Sequence, residues 1–128
     1  MDQHLSYRKL VMPGDLNSAH TLFGGTIMKW ADEAVSIYVM CQLGTKKVVT
    51  LKVSEILFKE PVQEGDVLEF MASTVKVGNT SITVKLDVQR KSIEDKTIVA
   101  PTVLSCEFVF VAVDDKGRPT QHKLSKRV

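Results

Sequence analysis

Long apolar runs are missing from this chain of 128 residues. The longest apolar stretch, Ala34 to Cys41, is interrupted by Ser36 and is far shorter than the roughly 18 residues of a membrane span. Cysteine is scarce, at 2, which excludes a disulfide scaffold; 7 glycines exclude a collagen-like repeat. The beginning, Met1-Asp2-Gln3-His4, lacks a basic segment followed by an apolar one, so no secretory signal is expected. Cys41 and Cys106 are therefore expected to stay reduced in a cytoplasm, both as small buried hydrophobes. Charge of one sign is also missing. The 17 basic residues against 15 acidic ones give a net charge of +2, which makes no case for nucleic acid as a partner. Most of that excess sits in His122-Lys123-Leu124-Ser125-Lys126-Arg127, which reads as a solvated terminus. His4, His20 and His122 have no metal-ligand spacing to another His or Cys, so no metal site is expected. No GxSxG, P-loop or GxGxxG pattern occurs.

What is present suits one globular domain over residues 1–128, with 44% hydrophobic and 25% charged residues. So small a domain has a poor surface-to-volume ratio and gains from burying area against another subunit. The patterning predicts an opening strand over Ser6–Val11, a loop through Asn17 and His20, and one long helix from about Gly24 to Gln42. Gly44 is placed as the helix stop. Lys29, Glu33 and Ser36 form the helix's narrow wet strip, so the rest is expected to be mostly buried.

Four strands follow. Val48–Phe58 is the second, with a switch of apolar parity that predicts a bulge near Ser54-Glu55. Val67–Val77 is the third, and Gly78-Asn79 a two-residue hairpin connection. The fourth alternates, with Ile82, Val84, Leu86 and Val88 on one face. Ser92–Ala100 is a charged loop. The fifth strand, Val103–Val113, is apolar on both faces and so belongs inside the sheet. The expected fold class is α+β: a five-stranded antiparallel sheet curled around one helix, with an open edge that invites a second copy.

Asp32 does not fit a bland helix. At about 100° per residue it lies at the border between the wet strip and the apolar face. Two readings stand: a solvated flank residue, or a carboxylate at the lip of an apolar pocket, suited to base work. Gly24-Gly25 opens the same helix about two turns earlier. Such an end serves a tight turn, or presents free N–H groups to an oxyanion or a carbonyl. Asn17 reads equally as a turn residue. Cys41 as a nucleophile needs a His partner, and Met40 and Leu43 beside it suggest core.

These residues form a familiar set. Asn17-Ser18-Ala19-His20-Thr21-Leu22-Phe23-Gly24-Gly25-Thr26-Ile27-Met28, followed by Asp32, resembles the signature of the hotdog-fold acyl-CoA thioesterases, closest to their YciA type. Val49–Val53 with Phe58, Pro61-Val62 and Gly65-Asp66 is similar to the family's next strand and turn. Gly78-Asn79-Thr80-Ser81-Ile82 resembles the hairpin, and Val111–Asp114 with Gly117-Arg118-Pro119 the ending. Two positions depart from the pattern: His20 stands where many members carry Gly, and Glu60 where a basic residue is common.

The resemblance implies a hotdog fold, dimers joined through their sheets, and further assembly into hexamers as a trimer of dimers. It implies hydrolysis of fatty acyl-CoA to free fatty acid and CoA, with no cofactor. The site would lie at the dimer interface, Asn17 of one subunit facing Asp32 of the other. Asp32 would be general base or nucleophile, Asn17 an orienting group, and the Gly25 N–H a carbonyl-polarising donor. Gly24 and Met28 would border the acyl group; Thr80, Ser81, Arg90 and Lys91 would meet CoA. Arg90 and Lys91 read equally as a solvated strand end. The alternatives are a non-hydrolytic acyl-CoA-binding hotdog protein and a hotdog thioester dehydratase, which needs a His–acidic pair; the only nearby His, His20, precedes the helix.

Overall fold

The computed structural model describes residues 3–98 and 101–124. The last residues of the expected charged loop and of the basic tail lie outside the described residues. Strand β1 is His4–Leu10, helix α1 Gly24–Leu43, β2 Val48–Val53, β3 Leu57–Phe58, β4 Val67–Val77, β5 Ser81–Arg90 and β6 Thr102–Ala112. The strands form one antiparallel sheet in the order β1-β4-β5-β6-β2, and β3 also pairs with β6.

Helix α1 lies where apolar residues recur at three and four positions. Ile27, Ala31, Ala34, Val35 and Val39 are buried against the sheet. Its stop is Gly44, in the left-handed region at φ 67°, whose N–H donates to the Met40 carbonyl at 2.9 Å. The alternation of β5 is kept: Ile82, Val84, Leu86 and Val88 are completely buried. They pack with Phe70 of β4 and Phe108 and Phe110 of β6 in one core. Strand β6 is paired on both sides, as its two apolar faces predict.

Four expectations need correction. The strand expected over Val48–Phe58 is broken into β2 and β3. At the break Ser54 donates its N–H to the Glu107 carbonyl, and its hydroxyl oxygen accepts the Glu107 N–H, both at 2.8 Å. The side chain thus replaces a ladder bond and turns the chain. A separate register shift falls between Thr50 and Lys52. Second, the two-residue connection is shifted by one: the Gly78 N–H donates to the Ser81 carbonyl at 2.9 Å, leaving Asn79 and Thr80 between them. A Cβ at Gly78 would crowd the Ser81 hydroxyl, which can rotate away. Third, Cys41 is exposed and only Cys106 is buried. Cys41 lies four residues after Ile37 and eight after Glu33, on one exposed helix stripe. Fourth, the C-terminal segment is not wholly solvated: His122 is buried, its ring Nε2 2.9 Å from the Ser81 carbonyl oxygen, and Leu124 packs on the core.

Among the described residues no helix is long and apolar enough to cross a membrane.

Candidate active site

Asp32 is half-buried on α1, between exposed Glu33 and buried Ala31. Its Oδ1 accepts a hydrogen bond from the Thr50 hydroxyl of β2 at 2.8 Å. The Ser36 hydroxyl donates to the Asp32 carbonyl at 2.7 Å. The carboxylate is thus not a loose solvated flank. It is aimed at the strand on the unpaired edge of the sheet and held there by a neutral donor.

Sequence reasoning passed over Thr50, because threonine is an ordinary strand residue. The available signal was that Thr50 is the lone hydroxyl within Val48–Val53, on the strand that follows the helix.

Asn17 closes its own loop. Its Oδ1 accepts the backbone N–H groups of Ala19 at 2.9 Å and Thr21 at 3.1 Å, and its Nδ2 donates to Thr21 Oγ1 at 3.1 Å. The backbone adds Asn17 N–H to the Thr21 carbonyl at 2.8 Å. An amide nitrogen has two protons, so Nδ2 keeps one for another acceptor. His20, inside this loop, has φ 62°, the left-handed region that glycine adopts freely.

Gly24 and Gly25 are exposed at the open end of α1. Thr26 and Ile27 both donate to the Phe23 carbonyl at 3.1 Å, so the N–H groups of the two glycines lie ahead of the first closed turn. A Cβ at Gly25 would meet nothing within 4 Å. Beside this end opens a cleft of about 220 Å³ between the loop before the helix, its first turn and the segment after β3. Leu22, Ile27, Phe58, Val62 and Val103 supply its apolar lining, with Lys59 and Glu60 at its rim. Met28 packs on the core and is not among the residues lining this cleft.

The expected CoA contacts are not gathered together within one chain. Thr80 and Ser81 stand at the start of β5, Arg90 and Lys91 at its end, roughly 30 Å away by strand rise. The Thr80 carbonyl accepts the Ala112 N–H, and the Ser81 carbonyl accepts the Gly78 N–H. Arg90 is bonded to Asp66, Glu60 and the Pro61 carbonyl. The Lys91 N–H donates to the Val67 carbonyl at 2.8 Å. Among the described residues no cluster of three or more His, Cys, Asp or Glu could hold a metal ion.

Residues 19–96 match the family model of the thioesterase superfamily. The chain belongs to that superfamily. It is 33% identical over 116 residues to the acyl-CoA thioester hydrolase YciA of Escherichia coli K12, spanning 90% of this chain and 87% of that protein. It also superposes on a hexameric hotdog fold thioesterase of Campylobacter jejuni. There the TM-score is 0.83 and the identity 31%, covering 95% of this chain and 92% of that one. An acyl-CoA hydrolase of Staphylococcus aureus, solved with butyryl coenzyme A and coenzyme A, gives a TM-score of 0.82 at 30% identity, covering 91% of this chain and 69% of that one. Variants of that hydrolase with an asparagine, an aspartate or a threonine replaced by alanine have also been solved. The hotdog architecture expected from the sequence is the one present, a long helix held by an antiparallel sheet.

Proposed function

We propose that the protein hydrolyses fatty acyl-CoA to the free fatty acid and CoA, at a site shared between two copies of the chain. The observation that carries this reading is the Thr50–Asp32 hydrogen bond at 2.8 Å, on the unpaired sheet edge of a chain whose relatives are acyl-CoA thioester hydrolases. The polar residues around this site recur in kind and chain order, Asn17, Asp32 and Thr50, as the asparagine, aspartate and threonine replaced in the Staphylococcus aureus hydrolase.

Asp32 either removes a proton from water as it attacks the thioester carbonyl, or attacks that carbonyl itself; both routes end in acid and CoA. Thr50 holds the carboxylate oxygen in place. The Gly25 N–H donates to the carbonyl oxygen as negative charge grows there. Asn17 of the second copy directs its remaining amide proton to the water or the carboxylate. Gly24 borders the acyl group, and Thr80, Ser81 and Lys91 serve CoA from either copy. Water is the only co-reactant, and in this reading these side chains and N–H groups carry the chemistry without a cofactor.

Assembly is part of this reading. Val49, Leu51, Leu57 and Phe58 on the unpaired edge are all exposed in the single chain. Joining two edges covers them, and three such dimers build a hexamer, the state named for the Campylobacter jejuni thioesterase. A cytoplasmic setting fits the two free cysteines.

The direct assay offers acyl-CoAs of several lengths and follows released CoA with a thiol dye, after the protein's own thiols have reacted. Steady CoA release supports hydrolysis. Binding without release would make the chain an acyl-CoA sensor instead.

A further inference from the structure

Arg90 closes β5 with each of its three guanidinium nitrogens making one hydrogen bond. Nε donates to Asp66 Oδ2 at 3.1 Å, Nη1 to Glu60 Oε2 at 3.3 Å, and Nη2 to the Pro61 carbonyl. These partners come from both ends of one segment, Glu60 to Asp66. The same segment is tied in from other sides. Asp66 Oδ2 also accepts the Gln63 N–H at 2.9 Å, and the Asp66 carbonyl accepts the Val11 N–H at 2.9 Å. In its middle, buried Val62 accepts the Leu22 N–H at 2.8 Å. Leu22 stands two residues before Gly24, and Leu22, Pro61 and Val62 are walls of the 220 Å³ cleft beside the helix start.

The charge balance matters here. One guanidinium faces two carboxylates, so an arriving phosphate would compete with both for the cation and be repelled by both. A planar fork bonded at three points makes a good bracket for a turn.

We infer that Arg90 is a positioning residue. It fixes the Glu60–Asp66 segment, and through Val62 and Leu22 it sets the shape of the apolar cleft. Arg90 thereby selects which acyl chains fit, and it does not hold the phosphates of CoA. This inference rests on the thioesterase reading above.

The test uses acyl groups of increasing length, each carried on CoA and on pantetheine, which has the same thioester arm and no phosphate. Arg90→Met should raise KM roughly tenfold for chains long enough to fill the cleft and far less for acetyl, equally on both carriers. Arg90→Lys keeps the charge but loses the fork, and should resemble the Met variant. Glu60→Gln should shift KM in the same direction, less strongly. The opposite pattern overturns the inference: a KM increase confined to CoA, equal at all lengths and restored by Lys, with Glu60→Gln lowering KM for CoA. Should Arg90→Met fail to fold, the sign of the Glu60→Gln effect on CoA against pantetheine decides alone. Wild-type protein that hydrolyses neither carrier sinks the functional reading and this inference together; wild-type turnover with the opposite pattern sinks the inference only.

Discussion

Strand β5 and the broken strand β2–β3 are built from similar residues and end in different surroundings. In β5 the apolar face of Ile82, Val84, Leu86 and Val88 is completely buried, and both strand edges are paired within the chain. On β2 and β3, Leu51 is 66% exposed and Phe58 56%, and one edge has no partner strand among the described residues. Apolar composition alone therefore does not say where a core is finished. β5 completes the fold of one chain; under the proposed assembly a second copy completes β2–β3. The Asp32–Thr50 pair lies at this edge, so the proposed function ties catalysis to assembly.

The largest effect expected from breaking this arrangement is on rate. Asp32→Asn keeps the shape and removes the base, and should lower turnover by roughly 10²–10⁴ while the protein still folds and assembles. Near-normal turnover would remove Asp32 from the mechanism.

The same residue type then separates the two regions. Leu86→Ala, in the completed core, should cost about 2–5 kcal/mol of unfolding free energy. Leu51→Ala should cost no more than about 0.5 kcal/mol within the chain. Its effect belongs to association, read as dissociation at higher protein concentration in sedimentation. Equal losses of stability in the two variants would erase the distinction.

Thr50→Val removes the hydroxyl that holds Asp32 and should reduce kcat about tenfold, the scale of one hydrogen bond to a charged group. An unchanged kcat would show that the bond does not orient the carboxylate.

The smallest effect concerns the two thiols. Burial, with the nearby Asp87 charge adding to it, pushes the Cys106 thiol up to about 11. At pH 8 almost none of it is thiolate, the reactive form. The folded protein should therefore titrate at most one thiol per chain, Cys41, and the second only on unfolding. Rapid reaction of both in the folded state would contradict the burial of Cys106.

Much of this was legible in the sequence, for physical reasons that differ by element. The helix and its stop were legible because the 3.6-residue spacing and a left-handed glycine are local features. The alternation of β5 was legible because one face is buried and the other wet. Asp32 stood out by its angle on the helix. What was not legible depends on contacts between distant segments. The parity switch marked an irregularity at Ser54-Glu55, but not that it ends the strand, which follows from the Ser54 hydroxyl replacing a ladder bond to Glu107. Thr50 acquires a role only because β2 is brought beside α1. Arg90, read as a solvated strand end or a phosphate contact, meets Glu60, Pro61 and Asp66 only once the turn folds back. Cys41 was misplaced because its neighbours are apolar, while its stripe faces outward in the single chain.

The central claim, one site made by two copies, has a direct measurement. Asn17→Ala and Asp32→Asn subunits are each nearly inactive alone under this account. When equal amounts exchange, about half the dimers are mixed, and each mixed dimer has one site with both defects and one with neither. Activity should return to roughly a quarter of wild type, with exchange verified by a tagged pull-down. Verified exchange with no recovered activity would mean that Asn17 and Asp32 serve the same subunit's site, and would contradict the shared site.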